Sequence, residues 1–401
     1  MTFTMPRVSL LRRFRRVALL SCTALLWVTA CGGGGADATQ ASEPKAWTWS
    51  LPAGFAPPVV PQDNPMNADK VELGRWLFYD QRLSVNGSLS CAGCHASALV
   101  FSDGRPVARG ATGQNHPRNA PGLINAAYQT TLDWANPALR TLEQQIHTPL
   151  FGEQPIEMGV NGANRATILQ RLRDDVDYPA RFARAFGEAS APVQWAQVIK
   201  AIAAFERTLV AAGSRYDLAL AGRITLSASE QRGQALFFGE RGKAGCVQCH
   251  GGPNLGGGAF VDTESSVGEP GFHNIGLFNI GDTGAYPQRS QGLIEFTGRP
   301  EDMGKFRAPS LRNVALTAPY LHDGSATTLE EVVALHADGG RVFGPGPYAG
   351  DGRANPYKDS LIDQIDLDAQ ERADLVAFLH ALTDDAAASD PRFSDPFGTS
   401  R

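Results

Sequence analysis

The sequence has 401 residues, enough for two domains at the usual one per roughly 100–200. Hydrophobic residues make up 43% and charged residues 19%, which provides for a packed core and excludes wholesale disorder. A formal net charge of −5 argues against nucleic acid as a partner, and six cysteines are too few for a disulfide-stapled scaffold.

The chain opens on a basic segment, Arg7, Arg12, Arg13, Arg15 and Arg16, followed by an apolar run from Val17 to Ala30. At about 14 residues the run is too short to span a bilayer and suits the hydrophobic region of an export signal. Val28-Thr29-Ala30-Cys31 resembles a bacterial lipobox, in which the cysteine becomes the lipidated first residue, and Gly32 to Gly35 reads as a flexible tether. The expectation is a lipoprotein signal peptide over 1–30, a tether and N-terminal segment over 31–65, and a periplasmic or otherwise extracytoplasmic protein. Its only membrane attachment would be the lipid on Cys31; an ordinary cleaved signal with an incidental cysteine is the alternative. Loss of residues 1–30 would remove five arginines and no acid, taking the net charge to −10.

Two segments further on align without gaps. Gly74-Arg75-Trp76-Leu77-Phe78-Tyr79-Asp80-Gln81-Arg82 and Gly233-Gln234-Ala235-Leu236-Phe237-Phe238-Gly239-Glu240-Arg241 both read G-x-x-L-F-aromatic-x-x-R. Both run into C-x-x-C-H, as Cys91-Ala92-Gly93-Cys94-His95 and Cys246-Val247-Gln248-Cys249-His250. The period of about 155 residues is too long for a solenoid and indicates domain duplication. C-x-x-C-H in an exported chain is the attachment pattern of haem c: two thiols bind the vinyl groups and the histidine ligates the iron. A thioredoxin-like pair does not require the histidine twice, and a four-cysteine zinc site would leave both histidines unused. With Cys22 in the signal and Cys31 in the lipobox, no thiol remains for a disulfide. Two covalent haems follow.

Helical signals dominate what is left. Gln194 to Leu209 reads as a long helix closing the first domain. Ser227 with Glu230 and Asp368 with Glu371 are capping boxes, the second opening an amphipathic helix with Leu375, Val376, Phe378, Leu379 and Leu382 at helical spacing. The Gly- and Pro-rich tracts 251–292 and 343–356 read as loops long enough to be functional covers. The fold class expected is mainly α. Two cytochrome-c-like haem domains related by duplication, with long loops, would span 66–220 and 221–390, followed by a tail over 391–401.

Further motifs carry a resemblance. They are Pro117-Arg118-Asn119-Ala120-Pro121, Trp134, Pro149 with Glu157-Met158, Phe306-Arg307-Ala308-Pro309-Ser310-Leu311-Arg312-Asn313 and Thr317-Ala318-Pro319-Tyr320-Leu321-His322-Asp323-Gly324. Together with the two C-x-x-C-H motifs they resemble the bacterial di-haem cytochrome c peroxidase and MauG superfamily over about residues 66–385. Phe272-His273-Asn274-Ile275-Gly276-Leu277 and Asp302-Met303-Gly304-Lys305-Phe306-Arg307 look like the methanobactin-associated, MbnH-type branch. The resemblance implies a peroxidatic haem on His95 and an electron-transfer haem on His250. It makes Glu157 the distal carboxylate, with Gln145 and Pro149 shaping its pocket and Trp134 lying between the haems. A carboxylate beside an open iron site can take a proton from peroxide and return it to the leaving oxygen. Taken alone, Glu157 would read as a helix-cap acid and Trp134 as core packing. Asn119, Thr317 and Pro319 match the family's calcium site, a set of hard oxygen ligands.

Two departures from the pattern bear on function. Aligning the stretch from Thr317 through Val333 places the sixth ligand of the second haem at His336, where peroxidases have methionine and MauG has tyrosine. Beyond the signal only Met66, Met158 and Met303 remain, and none is well placed. The alternatives are a surface His336 with that haem five-coordinate, or bound by Tyr320. Second, the position of the histidine that blocks many resting peroxidases falls on Ala111; His116, at a different offset, reads as a loop residue. The peroxide site is therefore expected to be open in the oxidised protein. His322 reads as a support for the second haem, His273 as a loop or propionate contact, His147 as pocket or packing, and His380 as solvent-facing.

The leading expectation is a peroxide-dependent di-haem oxidoreductase that stores two oxidising equivalents across both haems and oxidises a secreted protein partner, in the MbnH-like case at a tryptophan. A cytochrome c peroxidase drawing electrons from a small redox protein and a non-enzymatic di-haem carrier are the alternatives. Trp195, Tyr128 and Trp76 are candidate electron relays.

Overall fold

Helices carry the core among the residues that the computed structural model describes, 45–52, 54–187, 193–239, 243–257 and 271–398; the expected export signal, Cys31 and the glycine tether fall outside them. Capping chemistry sets most helix starts. Helix α1 (Ala68–Tyr79) begins where the Asn67 side chain accepts the Lys70 N–H. Helix α2 (Leu142–Phe151) starts from a reciprocal box between Thr141 and Gln144. Then come α3 (Arg165–Arg173), α4 (Tyr178–Phe186), α5 (Trp195–Glu206) and α6 (Arg215–Leu220). Both capping boxes read from the sequence form as expected, Ser227–Glu230 opening α7 (Ala228–Phe237) and Asp368–Glu371 opening α10 (Ala369–Ala381). Between them lie the short α8 (Ile294–Thr297) and α9 (Leu329–Ala337).

Helix α5 stops three residues before the expected Leu209. The Thr208 and Leu209 amides turn back to the Phe205 and Glu206 carbonyls, and the Leu209 carbonyl accepts the Asn125 N–H instead of continuing the helix. The expected loops hold short sheet pieces. β1 (Phe272–His273) pairs antiparallel with β2 (Phe306–Arg307), and β3 (Val342–Phe343) with β4 (Gly350–Asp351).

Buried apolar side chains form three clusters. The first joins α1 to α5 through residues such as Leu73, Phe78, Ile202 and Phe205. The second joins α7, α9 and α10 through Phe237, Val333, Leu375 and Phe378. The third gathers Trp134 with Leu277, Phe278, Tyr286, Phe306 and Leu335.

The first two clusters are built on the same helix crossing. A Cβ added at Gly74 would lie 1.9 Å from the Ala201 carbonyl oxygen, so α1 meets the backbone of α5 directly. A Cβ at Gly233 would lie 1.9 Å from the Asp374 carbonyl oxygen, where α7 meets α10. Phe78 stands edge-on to Phe205 at 5.3 Å, and Phe237 meets Phe378 at 5.3 Å. A second correspondence lies in Ala120-Pro121-Gly122-Leu123-Ile124-Asn125 and Ala308-Pro309-Ser310-Leu311-Arg312-Asn313. Asn125 and Asn313 are both left-handed at φ 61°, and each starts a 3-10 turn. Asn125 clips the end of α5 through Leu209 O and Ala211 N; Asn313 clips the end of α10 through Leu382 O and Asp384 N.

The crossings should resist any side chain. Gly74→Ala or Gly233→Ala is expected to destabilise by roughly 1–3 kcal/mol or more through overpacking. Gly162→Ala, where nothing lies within 4 Å, should be close to neutral in the same denaturant titration.

Candidate active site

Each C-x-x-C-H segment folds as a single 3-10 turn, Cys91–Gly93 and Cys246–Gln248. The His95 and His250 amides close onto the Cys91 and Cys246 carbonyls at 2.9 and 2.8 Å. The four cysteines and both histidines line one continuous cavity of about 360 Å³. The thiols form no disulfide. Burial pushes them up, Cys94 and Cys249 to about 11, the opposite of what a thioredoxin-like nucleophile needs.

Three imidazoles are oriented alike by backbone carbonyls. The Nδ1 atoms of His95, His250 and His336 face the carbonyls of Phe101, Pro309 and Val332 at 2.9, 3.0 and 2.8 Å. A carbonyl only accepts, so each Nδ1 carries the hydrogen and each Nε2 keeps a lone pair for a metal. His336 sits on α9 and lines the cavity. Burial first, then the neighbouring His336, holds His250 down at about 4. The influences on His95 are burial, the Phe101 and Pro121 carbonyls and Asp103, with no other histidine among them.

Two further observations test whether haem c fits here. Arg307, 6% exposed, lines the cavity, and its guanidinium donates only to the Asp133 and Ala308 carbonyls. No carboxylate pairs with it among the described residues, and burial lowers it to about 10. A buried cation whose nearest acid, Asp133, makes no direct ion pair with it among the described residues suits the propionate of a haem. His322 Nε2 is buried without a partner beside the same cavity, its ring stacked on Phe306 at 3.6 Å. The thiols, imidazoles and buried cation together fit two haem c groups.

The expected peroxide residues converge on one end of this cavity. Pro149 and Leu150, at the end of α2, give their carbonyls to Met158 and Val160, which docks the Glu157 segment onto the helix bearing Gln145. The loop before it clamps the other side: Ala111 N–H donates to the Glu157 carbonyl at 2.7 Å, and Ile156 N–H donates to Gln114 Oε1 at 2.9 Å. Contact is so close that a Cβ at Gly110 would sit 2.0 Å from the Ile156 carbonyl oxygen. Helix α2 is anchored in turn by Glu143, which accepts two bonds from the buried Arg207 at 2.8 and 2.9 Å. Glu157, Gln145 and Pro149 all line the cavity. Among the described residues no hydrogen bond is made by the Gln145 side-chain amide. Burial, with Asp133 adding to it, raises Glu157 to about 7.

Two neighbours go beyond what the sequence singled out. His116, expected as a loop residue, lines the cavity with Nε2 3.8 Å from Glu157 Oε1. Its Nδ1 lies 3.0 Å from the Arg118 amide nitrogen and 3.2 Å from the Arg118 carbonyl, which holds the ring with Nε2 toward Glu157. Burial, followed by Arg118, lowers His116 to about 4, leaving it neutral at pH 7. Glu206 also lines the cavity, buried, without a side-chain hydrogen bond among the described residues and raised by burial to about 8. The legible signal for it was a Glu-Arg pair at the end of an apolar helix. Ala111 is held by its backbone and does not line the cavity.

Trp134 is buried in the third cluster, its Nε1 donating to the Asn119 carbonyl at 2.8 Å and the Arg307 guanidinium 5.8 Å over its ring. Asn119, Thr317 and Pro319 reach the same cavity. Asn119 Nδ2 donates to Arg105 O, leaving Oδ1 for another partner, and the Thr317 hydroxyl donates to Val314 O. The remaining histidines separate. His147 is exposed against Phe151 and is not part of the cavity wall; His380 is exposed on α10 as expected. His273 lines the cavity and pairs through Nδ1 with Asp359 at 2.6 Å. Trp195, Tyr128 and Trp76 do not reach the cavity.

Comparison with known proteins agrees with this geometry. The family described as di-haem cytochrome c peroxidase matches residues 68–225. The chain is 39% identical over 348 residues to the cytochrome-c peroxidase IdrP1 of Denitromonas iodatirespirans, covering 83% of this chain and 86% of that one. It is 32% identical over 377 residues to the methylamine utilization protein MauG of Methylorubrum extorquens, covering 92% and 94%. A crystal structure of a MauG-like protein associated with microbial copper homeostasis superposes with a TM-score of 0.84 at 53% identity, over 88% of this chain and 100% of that one.

If each turn carries one covalent group, Cys246→Ala combined with Cys249→Ala should leave a protein with one of its two. Mass spectrometry under denaturing conditions reads this directly; retention of both groups would contradict the assignment.

Proposed function

The chain belongs to the di-haem cytochrome c peroxidase and MauG family, and from that membership we propose that it is a hydrogen-peroxide-dependent oxidase that withdraws electrons from a protein partner. The observation that carries the proposal is the contrast between the two ends of the cavity. His95 faces a pocket with Glu157, Gln145 and no second histidine acting on it. His250 faces His336. This contrast supports a reading in which the first end takes a small molecule and the second a protein ligand.

Two haem c groups, held by Cys91, Cys94 and His95 and by Cys246, Cys249 and His250, would supply the two-electron reduction of peroxide and the storage of its oxidising equivalents. In this reading His336 would also help hold the second. Glu157, as carboxylate, takes a proton from bound peroxide and returns it to the departing oxygen. The Gln145 amide orients the peroxide, Pro149 shapes the wall, and His116 Nε2 stands 3.8 Å from the carboxylate. Trp134 lies under Arg307 as the bridge between the two ends. We further propose that the two helix crossings belong to duplicated cytochrome-c-like domains over 66–220 and 221–390, with Asn119, Thr317 and Pro319 holding calcium near their junction. The protein would act outside the cytoplasm, held by a lipid on Cys31; no described helix is long and apolar enough to cross a membrane. A partner tryptophan is the proposed target, supported by the motifs Phe272–Leu277 and Asp302–Arg307 that resemble the MbnH-type branch. The relatives named as cytochrome-c peroxidases favour a second reading, in which a small redox protein supplies the electrons.

Adding peroxide to the oxidised protein without a reductant separates these readings. A rapid, long-lived spectral change at both haems is expected; no reaction until one haem is reduced would favour the second reading. Glu157→Gln should slow the reaction about 10²- to 10⁴-fold. In the unaltered protein the rate should rise with pH through about 7, because Glu157 accepts a proton only when ionised and burial places that ionisation there instead of near the ordinary 4.5. His336→Ala should convert the low-spin spectrum of the second haem; an unchanged spectrum would reject His336 as its ligand.

A further inference from the structure

We propose that Tyr348 is the surface residue through which this protein withdraws electrons from its partner, connected to the cavity by Phe278 and Tyr286. The proposal rests on the oxidase reading above and names the exit that it requires.

Tyr348 lies in the turn between β3 and β4. It is 45% exposed, and no other tryptophan or tyrosine among the described residues is exposed. Behind it the rings run inward without a break. The Tyr348 and Phe278 centroids are 5.5 Å apart, and those of Phe278 and Tyr286 are 5.4 Å apart. Tyr286 lines the cavity, 6.2 Å from Phe306 and in the same buried cluster as Trp134. Phe343 stacks on Phe278 at 5.0 Å and nearly parallel, which holds the bridge in place from the solvent side.

Side-chain chemistry fixes where a charge would stop. Phenylalanine has no ionisable hydrogen, so Phe278 and Phe306 only bridge. Tyr286 is 3% exposed; its hydroxyl donates to Asn274 Oδ1 at 2.7 Å and accepts the Leu277 N–H at 3.1 Å. A neutral amide oxygen is no base, so an electron lost from Tyr286 would leave its proton stranded in the interior. Tyr348 stands in solvent, which can take the proton as the electron leaves. The earlier candidates lack this geometry. Trp195 and Tyr128 are buried with their N–H and O–H on the Arg165 and Ala56 carbonyls, and Trp76 stands edge-on to Phe397 away from the cavity.

The balance closes on peroxide alone. Each oxidation of Tyr348 sends one electron inward and one proton to solvent, and two electrons with two protons reduce one hydrogen peroxide to two waters. A bound partner restores Tyr348 by giving up its own electron. Without a partner, two phenoxyl radicals from two molecules join through ring carbons, so two tyrosines and one peroxide yield one dityrosine and two waters.

The test treats haem-loaded protein with peroxide in the absence of partner and reductant, then follows peroxide loss, dityrosine fluorescence and peptide masses. A dimer cross-linked at Tyr348 is expected, and it should be lost in Tyr348→Phe. Peroxide consumption with cross-links or oxidised residues elsewhere, the same in Tyr348→Phe, would overturn the exit. A protein that leaves peroxide untouched would overturn the oxidase reading itself, and the exit with it.

Discussion

The direct contact of helix backbone on helix backbone at Gly74 and Gly233 is the constraint from which the rest of the structure is built. With no Cβ between them, α1 and α5 approach until the Ala201 carbonyl nearly touches the Gly74 Cα, and α7 and α10 do the same at Asp374. That closeness sets the height at which Phe78 meets Phe205 and Phe237 meets Phe378. It also fixes where α5 and α10 end, which is where Asn125 and Asn313 fasten the segments carrying the cavity wall. In both halves the helix with the glycine leads into a C-x-x-C-H turn. The thiols and the proximal imidazole are thus held relative to a crossing that admits no slack.

On this common frame the two halves carry different walls. The first inserts α2, whose Glu143 is gripped by Arg207 at the end of α5, and this grip sets where Gln145 and Pro149 face the cavity. Breaking such a buried pair on one side leaves an uncompensated charge, so the anchor is stiff as well as specific. The second half has α9 in the corresponding role, and α9 brings His336 toward His250. In the proposed reading, a pocket with room for a small molecule and a site filled by a second imidazole therefore arise from one architecture through the choice of a single neighbouring helix.

Much of this was legible in the sequence because the informative residues are governed locally. C-x-x-C-H fixes both thiols and the imidazole within one turn, and the boxes at Ser227 and Asp368 set helix starts with side chains three residues away. Glu157, Gln145 and Trp134 were reached through motif resemblance, and they do meet at one cavity. What could not be read depends on contacts between distant segments. His116 gave no sign that the fold would place it 3.8 Å from Glu157. His147, close to Gln145 in sequence, turns outward because two positions along a helix rotate a side chain to the opposite face. The ring sequence from Tyr286 to Tyr348 joins residues about 60 apart that no local pattern relates. The A-P-x-L-x-N repeat at Asn125 and Asn313 was present in the sequence, and only the shared left-handed backbone shows what it does.

The distribution of charge along the cavity gives these two walls a direction. Among the described residues the acids that line it, Asp133, Glu157 and Glu206, all come from the first part of the chain, beside His95, His116 and Arg118, while the second part contributes Arg307, Arg312 and four histidines but no acid. Burial raises Glu157 to about 7 and Glu206 to about 8, so both can hold or release a proton near neutral pH. At the other end the imidazoles of His250 and His336 are held neutral by burial, and their Nδ1 hydrogens are tied to carbonyls. Reduction of peroxide consumes protons where the oxygen–oxygen bond breaks, whereas electrons can arrive from a distance through packed rings. The chain places its proton-holding groups at the first end and its aromatic path at the second. In the proposed reading a partner therefore supplies electrons without entering the pocket where protons are used, and the partner surface and the peroxide site can vary independently.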